Sequence, residues 1–160
     1  MIDEEVKAVV LAIIVVAGIF AASQTMLAGR VVEPFSELGL LGPNKRIGDY
    51  PKEVVIGLPY RLHIYVGNHE GEVRYYRILI KLGNSTTFIN ETIPANAPVI
   101  YSFDHVLMDN RTLIQPYDMI INSTGINLRL LVELWSYDPA KGEFVYTGRW
   151  NQLWVNATGP

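Results

Sequence analysis

The sequence predicts an all-β fold, an immunoglobulin-like antiparallel β-sandwich preceded by one N-terminal transmembrane helix. Three observations carry this reading. An almost wholly apolar run extends from Ala8 to Ala28, and beyond Pro59 apolar and polar side chains alternate with period two. Clusters of Gly, Pro and Asn then separate the alternating stretches. At 160 residues the chain allows one domain of ordinary size in addition to the N-terminal segment.

The apolar run has no polar side chain from Ala8 to Ala22, and only Ser23, Gln24 and Thr25 interrupt it before Met26, Leu27 and Ala28. As a helix, residues 8–28 would extend about 31 Å, enough to cross roughly 30 Å of hydrocarbon. A cleaved secretory signal calls for a basic leader, but here Asp3, Glu4 and Glu5 precede the run and only Lys7 is positive. A buried core helix is rarely apolar on every side. Residues 1–28 are therefore expected to be a retained signal anchor, with membrane lipid as the partner of residues 8–28.

Residues 29–59 hold Gly29, Pro34, Gly39, Gly42, Pro43, Gly48, Pro51, Gly57 and Pro59, a density that predicts a juxtamembrane collar without regular structure. Its Phe35, Leu38, Leu40 and Leu41 are expected to lie against the domain or the membrane surface. The sandwich itself is placed at 60–160. Leu62, Ile64 and Val66 share one face and Arg61, His63 and Tyr65 the other. Residues 73–82 then alternate Tyr75, Arg77, Leu79 and Lys81 against Tyr76, Ile78, Ile80 and Leu82, and the two stretches together predict an antiparallel hairpin across residues 67–71. A short or edge strand is expected at 86–90 and another strand at 99–108. Residues 109–127, with Pro116, are read as a short helix or a long crossover loop. Leu128, Leu130, Val132 and Leu134 face inward against Arg129, Leu131, Glu133 and Trp135, and residues 144–155 return across the Asp138–Gly142 turn as the last hairpin arm. Six or seven such strands predict the sandwich.

Composition excludes several functions. The chain has no Cys, which removes disulfides, thiolate chemistry and Cys-based zinc sites. A formal net charge of −3 without a basic stripe argues against a nucleic-acid partner. Five Asn-x-Thr sequons, at Asn84, Asn90, Asn110, Asn122 and Asn156, exceed the roughly one expected by chance and point to a glycosylated body outside the cell. Charge counting opposes Lys7 to Arg30, Lys45 and Arg46 and weakly favours the reverse orientation. The sequons outweigh it, because a large domain translocates largely regardless of charge. The expected placement is thus a single-pass cell-membrane protein with an extracytoplasmic C-terminal domain.

Chemistry-bearing motifs are sparse. His69-Glu70-Gly71-Glu72 is the densest ionisable group and is half of a possible His–carboxylate metal site, but no second cluster at ligand spacing accompanies it, so a polar turn is favoured. Asp104 and His105 fall on opposite faces of one strand, with Ser102 beside Asp104, which disfavours a catalytic triad. Asp109, Asp118 and Asp138 sit in contexts that Asp favours without calcium. There is no nucleophile elbow, glycine-rich phosphate loop or His-Glu-x-x-His pattern, so no catalytic residue, metal or cofactor is assigned. Trp135, Trp150 and Trp154, with Tyr137 and Tyr146, crowd the last hairpin, where they either pack or form a binding patch for sugar or protein. Gly18 and Ala22, like Ala17 and Ala21, form a small-residue surface on the apolar helix.

Three ordered landmarks bear a family likeness. Glu33-Pro34-Phe35-Ser36-Glu37-Leu38-Gly39-Leu40-Leu41-Gly42-Pro43 comes first, then Asp49-Tyr50-Pro51 with Gly57, then Asn68-His69-Glu70 followed by Tyr75-Tyr76. The run resembles the mostly archaeal membrane proteins catalogued as domain of unknown function 1616. The resemblance implies an extracytoplasmic β-domain attached to membrane helices, with no established catalytic activity, and directs attention to Asn68, His69 and Glu70. Many relatives have several membrane helices before the domain, whereas one is read here. The expected function is a non-enzymatic, membrane-anchored glycoprotein module that binds an envelope protein or membrane complex. The alternatives are a surface-filament subunit packing through its N-terminal helix, or a metal-dependent or sugar-binding domain.

Overall fold

The computed structural model describes residues 3–28 and 33–160. Gly29 and Arg30, the first collar residue and one of the charges used for orientation, lie outside the described residues, as do Met1 and Ile2 of the anchor. The described residues form one helix and eight strands: α1 (Glu4–Ala28), β1 (Phe35–Leu41), β2 (Glu53–Val55), β3 (Tyr60–His69), β4 (Arg74–Gly83), β5 (Val99–Leu107), β6 (Arg111–Met119), β7 (Gly125–Asp138) and β8 (Glu143–Thr158). It divides into two compact units at Glu33/Pro34.

Helix α1 buries none of its residues, and among the described residues it is the one helix long and apolar enough to cross a membrane. Its polar interruptions are satisfied internally: Ser23 Oγ donates to the Phe20 carbonyl and Thr25 Oγ1 to the Ala22 carbonyl, both at 2.8 Å. Hydroxyls bonded back into their own helix need no water, so these two residues do not shorten the span. Glu4 and Glu5 occupy the first turn, where carboxylates complement the helix dipole.

The second unit is a two-sheet sandwich. A three-stranded sheet runs β1-β3-β6 and a five-stranded sheet β2-β8-β7-β4-β5. The inner faces are the alternating apolar sets: Leu62, Ile64 and Val66 on β3 face a core shared with Tyr76, Ile78 and Ile80 on β4 and Leu130, Val132 and Leu134 on β7. Leu153 and Val155 of β8 and Tyr117 and Met119 of β6 complete it. Burial of this period-two pattern is the main stabilising term.

Four stretches differ from their sequence reading. First, β3 and β4 do not form a hairpin. β3 pairs with β1 and β6, β4 pairs with β5 and β7, and residues 70–73 carry the chain from one sheet to the other. Both strands have a wholly buried apolar face, and an arch sets the two faces against each other where a hairpin would lay them side by side. Second, residues 109–127 contain strand β6 rather than a helix or loop. Its Pro116 is tolerated because β6 is an edge strand bonded only to β3. Third, residues 86–90 are not a strand. Asn84 Oδ1 accepts from the Thr86 amide and hydroxyl, and Asn90 Oδ1 from the amides of Thr92 and Ile93, so local side-chain bonds replace ladder bonds. Fourth, the collar is structured from Pro34 onward. β1 pairs antiparallel with β3, and β2 pairs parallel with the end of β8.

The face of β7 read as solvent-directed is in fact covered. Leu131 and Glu133 are fully buried beneath the 84–98 loop, where Leu131 packs against Ile89 and Ala95. Lys81 Nζ bonds both Glu133 oxygens at 3.1 and 3.0 Å and the Ala95 carbonyl at 2.8 Å. Glu133 also accepts from the Ala95 amide at 2.7 Å and from Trp135 Nε1 at 2.9 Å. With side-chain exposures of 8% for Lys81 and 0% for Glu133, this is a buried and fully satisfied pair. Gly148, at φ 79°, lets the Glu91 carbonyl approach where a Cβ would stand 2.4 Å from it, so the loop lies flush against β8. Lys81→Met leaves a buried carboxylate without its counter-ion and is expected to cost about 3–5 kcal/mol. Urea denaturation of the full chain in detergent checks this, with Lys81→Met/Glu133→Gln expected to lose less than the single variant.

Candidate functional site

The family-like turn is built around a buried amide. Asn68, with no exposed surface, donates from Nδ2 to the carbonyls of Glu72 and Leu107, both at 2.8 Å, and accepts from the Glu70 amide at 3.0 Å. The three bonds hold the 70–73 arch and tie it to the end of β5. Asn68 is thus structural in geometry. Its neighbours differ: His69 and Glu70 project to opposite sides of the turn, into different groups.

His69 lies on the outer face of the three-stranded sheet, stacked on Phe35 with ring centroids 4.8 Å apart. Its Nε2 is 3.3 Å from Glu37 Oε2 and its Nδ1 3.3 Å from Asn110 Oδ1. Two acceptors facing the two ring nitrogens suit the doubly protonated imidazolium. The bond to Asn110, then that to Glu37, raises the His69 pKa above its ordinary value despite some desolvation. Tyr65 also donates to Glu37 Oε2 at 2.8 Å, and this bond raises the tyrosine pKa. Gly67 makes the arrangement possible, because a Cβ there would stand 2.4 Å from that carboxylate oxygen.

Glu70 turns to the other side. Its carboxylate accepts from Ser36 Oγ at 2.6 Å, Ser36 contacts the buried Tyr76 hydroxyl at 2.7 Å, and Arg74 lies 3.6 Å from Glu70 and 3.0 Å from Glu72. Ser36, Glu70 and Arg74 line a cleft of about 410 Å³ together with Ser136, Asp138 and Tyr146. Arg74 Nε and Ser136 Oγ are buried there without a hydrogen-bond partner. The lining offers hydroxyls, carboxylates and a guanidinium, a set able to hydrogen-bond a small polar molecule. Burial drives the Tyr146 pKa up to about 12, so this phenol stays protonated and donates to the Asn90 carbonyl at 2.9 Å.

The triad reading does not survive the geometry. Asp104 accepts two bonds from Arg77, at 2.8 and 2.7 Å, and one from Tyr75 at 3.0 Å, so its carboxylate serves the outer face of β4 and β5 and not His105. Its pKa is lowered, chiefly by Arg77. Asp109 accepts from the Gly71 amide, Asp118 pairs with Arg61, and Asp138 caps the turn at Ala140. Among the described residues no three His, Asp or Glu side chains converge as metal ligands.

All three Trp residues share the outer face of the five-stranded sheet, since the β7–β8 register sets Trp154 opposite Arg129, Trp150 opposite Glu133 and Trp135 opposite Tyr146. Trp135 is tied to Glu133, and Trp150 packs on the loop cluster, while Trp154 remains 42% exposed with the Arg129 guanidinium 5.2 Å from its ring centre. At the other end of the same face Tyr75, Tyr137 and Phe144 form a ring cluster with centroids 5.0–5.9 Å apart, and Arg77 caps Phe144 at 4.0 Å. Sequence reasoning missed Tyr75 and Phe144 as members, although their odd and even positions on β4 and β8 carried the signal. Arg77, Trp135, Tyr137, Glu143 and Phe144 line a cleft of about 500 Å³.

The sequon asparagines are dispersed. Asn84, Asn110 and Asn122 are exposed, while Asn90 and Asn156 are half-buried. The Asn156 side chain accepts from the Asn127 amide at 2.8 Å.

The family model described as a domain of unknown function, DUF1616, matches residues 30–156, and the chain belongs to that family. Among solved structures the chain is similar to the CARDB domain of a Pyrococcus furiosus protein in complex with di-metal ions. That match has 8% identity and a TM-score of 0.50, and covers 81% of this chain and 95% of that one. It is also similar to a β-glucosidase from Listeria innocua in complex with glucose, at 11% identity and a TM-score of 0.48. It covers 79% of this chain but spans only 16% of the glucosidase. The CARDB likeness shows an immunoglobulin-like sandwich fold and no more. No curated protein matches the chain.

Two outcomes follow for the turn. Asn68→Ala strands buried partners and is expected to cost about 3 kcal/mol or more, read by denaturant melts. The raised His69 pKa contributes stability that is fully present below the unfolded value and is lost as pH rises through the folded one. The melting-temperature gap between wild type and His69→Gln should therefore be largest below the unfolded histidine value of about 6.5 and shrink as pH rises through the raised folded one.

Proposed function

We propose that this member of the DUF1616 family is a non-enzymatic, membrane-anchored extracytoplasmic glycoprotein module. It binds another cell-envelope component or a membrane complex through the aromatic outer face of its five-stranded sheet. The observation that carries this reading is the division of apolar surface: the sandwich has a complete core of its own, while α1 is apolar on every side and buries nothing. A 25-residue helix of that kind spans about 37 Å and is stable in lipid, not in water.

The sequons support an exterior position, and the Thr of each supplies the hydroxyl that a glycosylation acceptor requires. The aromatic face supports recognition because Tyr75, Tyr137, Phe144 and Trp154 present large rigid surfaces beside Arg77 and Arg129, a combination common at binding hot spots. Asp104, Asp118 and Glu133 are spent on ion pairs and Asp109 and Asp138 on turns, which supports a non-catalytic role.

The placement is tested by alkaline extraction of membranes, protease treatment of intact cells and glycopeptide mass spectrometry. The expected outcome is retention in the membrane pellet, cleavage of the domain from outside, and glycan at Asn84, Asn110 and Asn122, with less at the half-buried Asn156. Unmodified asparagines at all five positions together with a protected domain would sink the reading. The binding face is tested by crosslinking in native membranes: Tyr137→Ala/Phe144→Ala should reduce the captured neighbour at least tenfold while leaving the melting temperature within a few degrees.

A further inference from the structure

The five sequons share one chemistry but not one setting, and the turn at Asn90 is fixed from both sides. The Asn90 carbonyl accepts from the Tyr146 hydroxyl at 2.9 Å, and its amide donates to the Ile93 carbonyl at 3.0 Å. Ile89, just before it, is buried on Leu131, and Gly148 gives the Glu91 carbonyl, just after it, room against β8. The side chain divides its work. Oδ1 accepts from the Thr92 amide and hydroxyl and from the Ile93 amide, at 2.9, 3.0 and 2.6 Å. Nδ2, the atom to which a glycan is joined, makes no hydrogen bond among the described residues.

Asn90 also lines a cleft of about 380 Å³ with Ile89, Glu91, Thr92 and Trp150. Clefts that hold small ligands run from about 300 to 1,000 Å³. Trp150 reaches this one from β8, where its backbone is paired with Glu133 and its ring is packed on the Ile89 cluster. Glu91 and Thr92 are exposed beside it. An indole next to a carboxylate and a hydroxyl matches a sugar ring. The C–H groups on one side of a pyranose meet the negative face of the indole, and its hydroxyls donate to the carboxylate. Asn84 lines a neighbouring cleft, but the aromatic member there, Phe88, is a loop residue 63% exposed, whereas Trp150 belongs to a paired strand.

We infer that the cleft beside Asn90 seats the first sugar of that residue's own glycan, stacked on Trp150. In the attachment Nδ2 loses one proton and bonds the anomeric carbon, and the phosphate of a glycosyl phosphate donor leaves. The ring is thereafter tethered to a wall of its own cleft, at an effective concentration that lets weak stacking suffice. Seated there, it joins the 84–98 loop to β8 and stabilises the outer face of the five-stranded sheet. The inference rests on the glycosylation proposed above and not on the aromatic binding face.

The full-length protein in detergent is compared in two forms, one from its own host and one from cells without N-glycosylation. Within each variant, the melting-temperature gap between the two forms cancels the direct effect of the substitution. Glycopeptide mass spectrometry should find Asn90 occupied, and the glycosylated wild type should melt about 3 °C or more above the bare chain. That gap should vanish in Thr92→Ala, which removes the Asn90 sequon, and fall by at least half in Trp150→Leu. It should persist in Thr124→Ala, which removes the Asn122 sequon. Proton NMR of the glycosylated wild type should show the Asn90-linked sugar shifted upfield by the indole ring, a signature that needs no variant to fold. Asn90 bare while other sequons carry glycan overturns the inference and spares the glycoprotein reading; all five bare overturn both. A gap that survives in Thr92→Ala, or that Trp150→Leu leaves unchanged, overturns it too. So does a gap lost in Thr86→Ala but kept in Thr92→Ala, which would move the seat to the cleft at Asn84, or a sugar without the upfield shift.

Discussion

One buried amide sets the architecture of the sandwich. Asn68 stands where the chain leaves one sheet for the other, and its three backbone bonds replace the ladder that a hairpin would have supplied. Removing ladder bonds from a buried segment is costly unless each polar group finds a new partner. Because Asn68 supplies them, β3 and β4 oppose their apolar faces across the core. The neighbouring strands inherit that division: β1 and β6 gather on β3, and β5 and β7 on β4. Position 68 therefore has a physical reason to be Asn, independent of any ligand.

A second polar group, the Lys81–Glu133 pair, organises the outer face. By binding the Ala95 amide and carbonyl it pins the 84–98 loop over the middle of the five-stranded sheet. The aromatic residues of that face are thereby separated into a packed group around Trp135 and Trp150 and an open group around Tyr75, Tyr137 and Phe144. The loop is held both by these bonds and by the packing of Ile89 and Ala95 on Leu131.

Much of this was legible in the sequence. The apolar sets Leu62/Ile64/Val66, Tyr76/Ile78/Ile80 and Leu130/Val132/Leu134 declare their buried face by period two alone, and Ala8–Ala28 declares its helix by uniformity. What was illegible has a common cause. A hairpin and an arch have the same alternation on either side of the same turn residues, so 60–82 does not reveal which sheet each strand joins. Pro116 disguised β6, because a proline argues against a strand unless the strand is known to be an edge. Glu133 looked solvent-directed because charge usually is, and its counter-ion lies 52 residues away on another strand. Gly and Pro between 34 and 59 reported turns correctly but hid the strands between them. The grouping of Tyr75 with Phe144 required the register of three strands, which alternation within each does not supply.

The parallel pairing of β2 with β8 has a temporal meaning. Glu53 to Val55 meet Asn156 to Thr158, and Leu38 is bonded by Asn151, so strands from the beginning of the domain take their partners from its last few residues. No nascent chain that stops short of β8 holds both halves of these contacts, and the sandwich closes only once β8 has been made. Until then the four Asn-x-Thr triplets that precede β8, at Asn84, Asn90, Asn110 and Asn122, lie on a domain that has not yet closed.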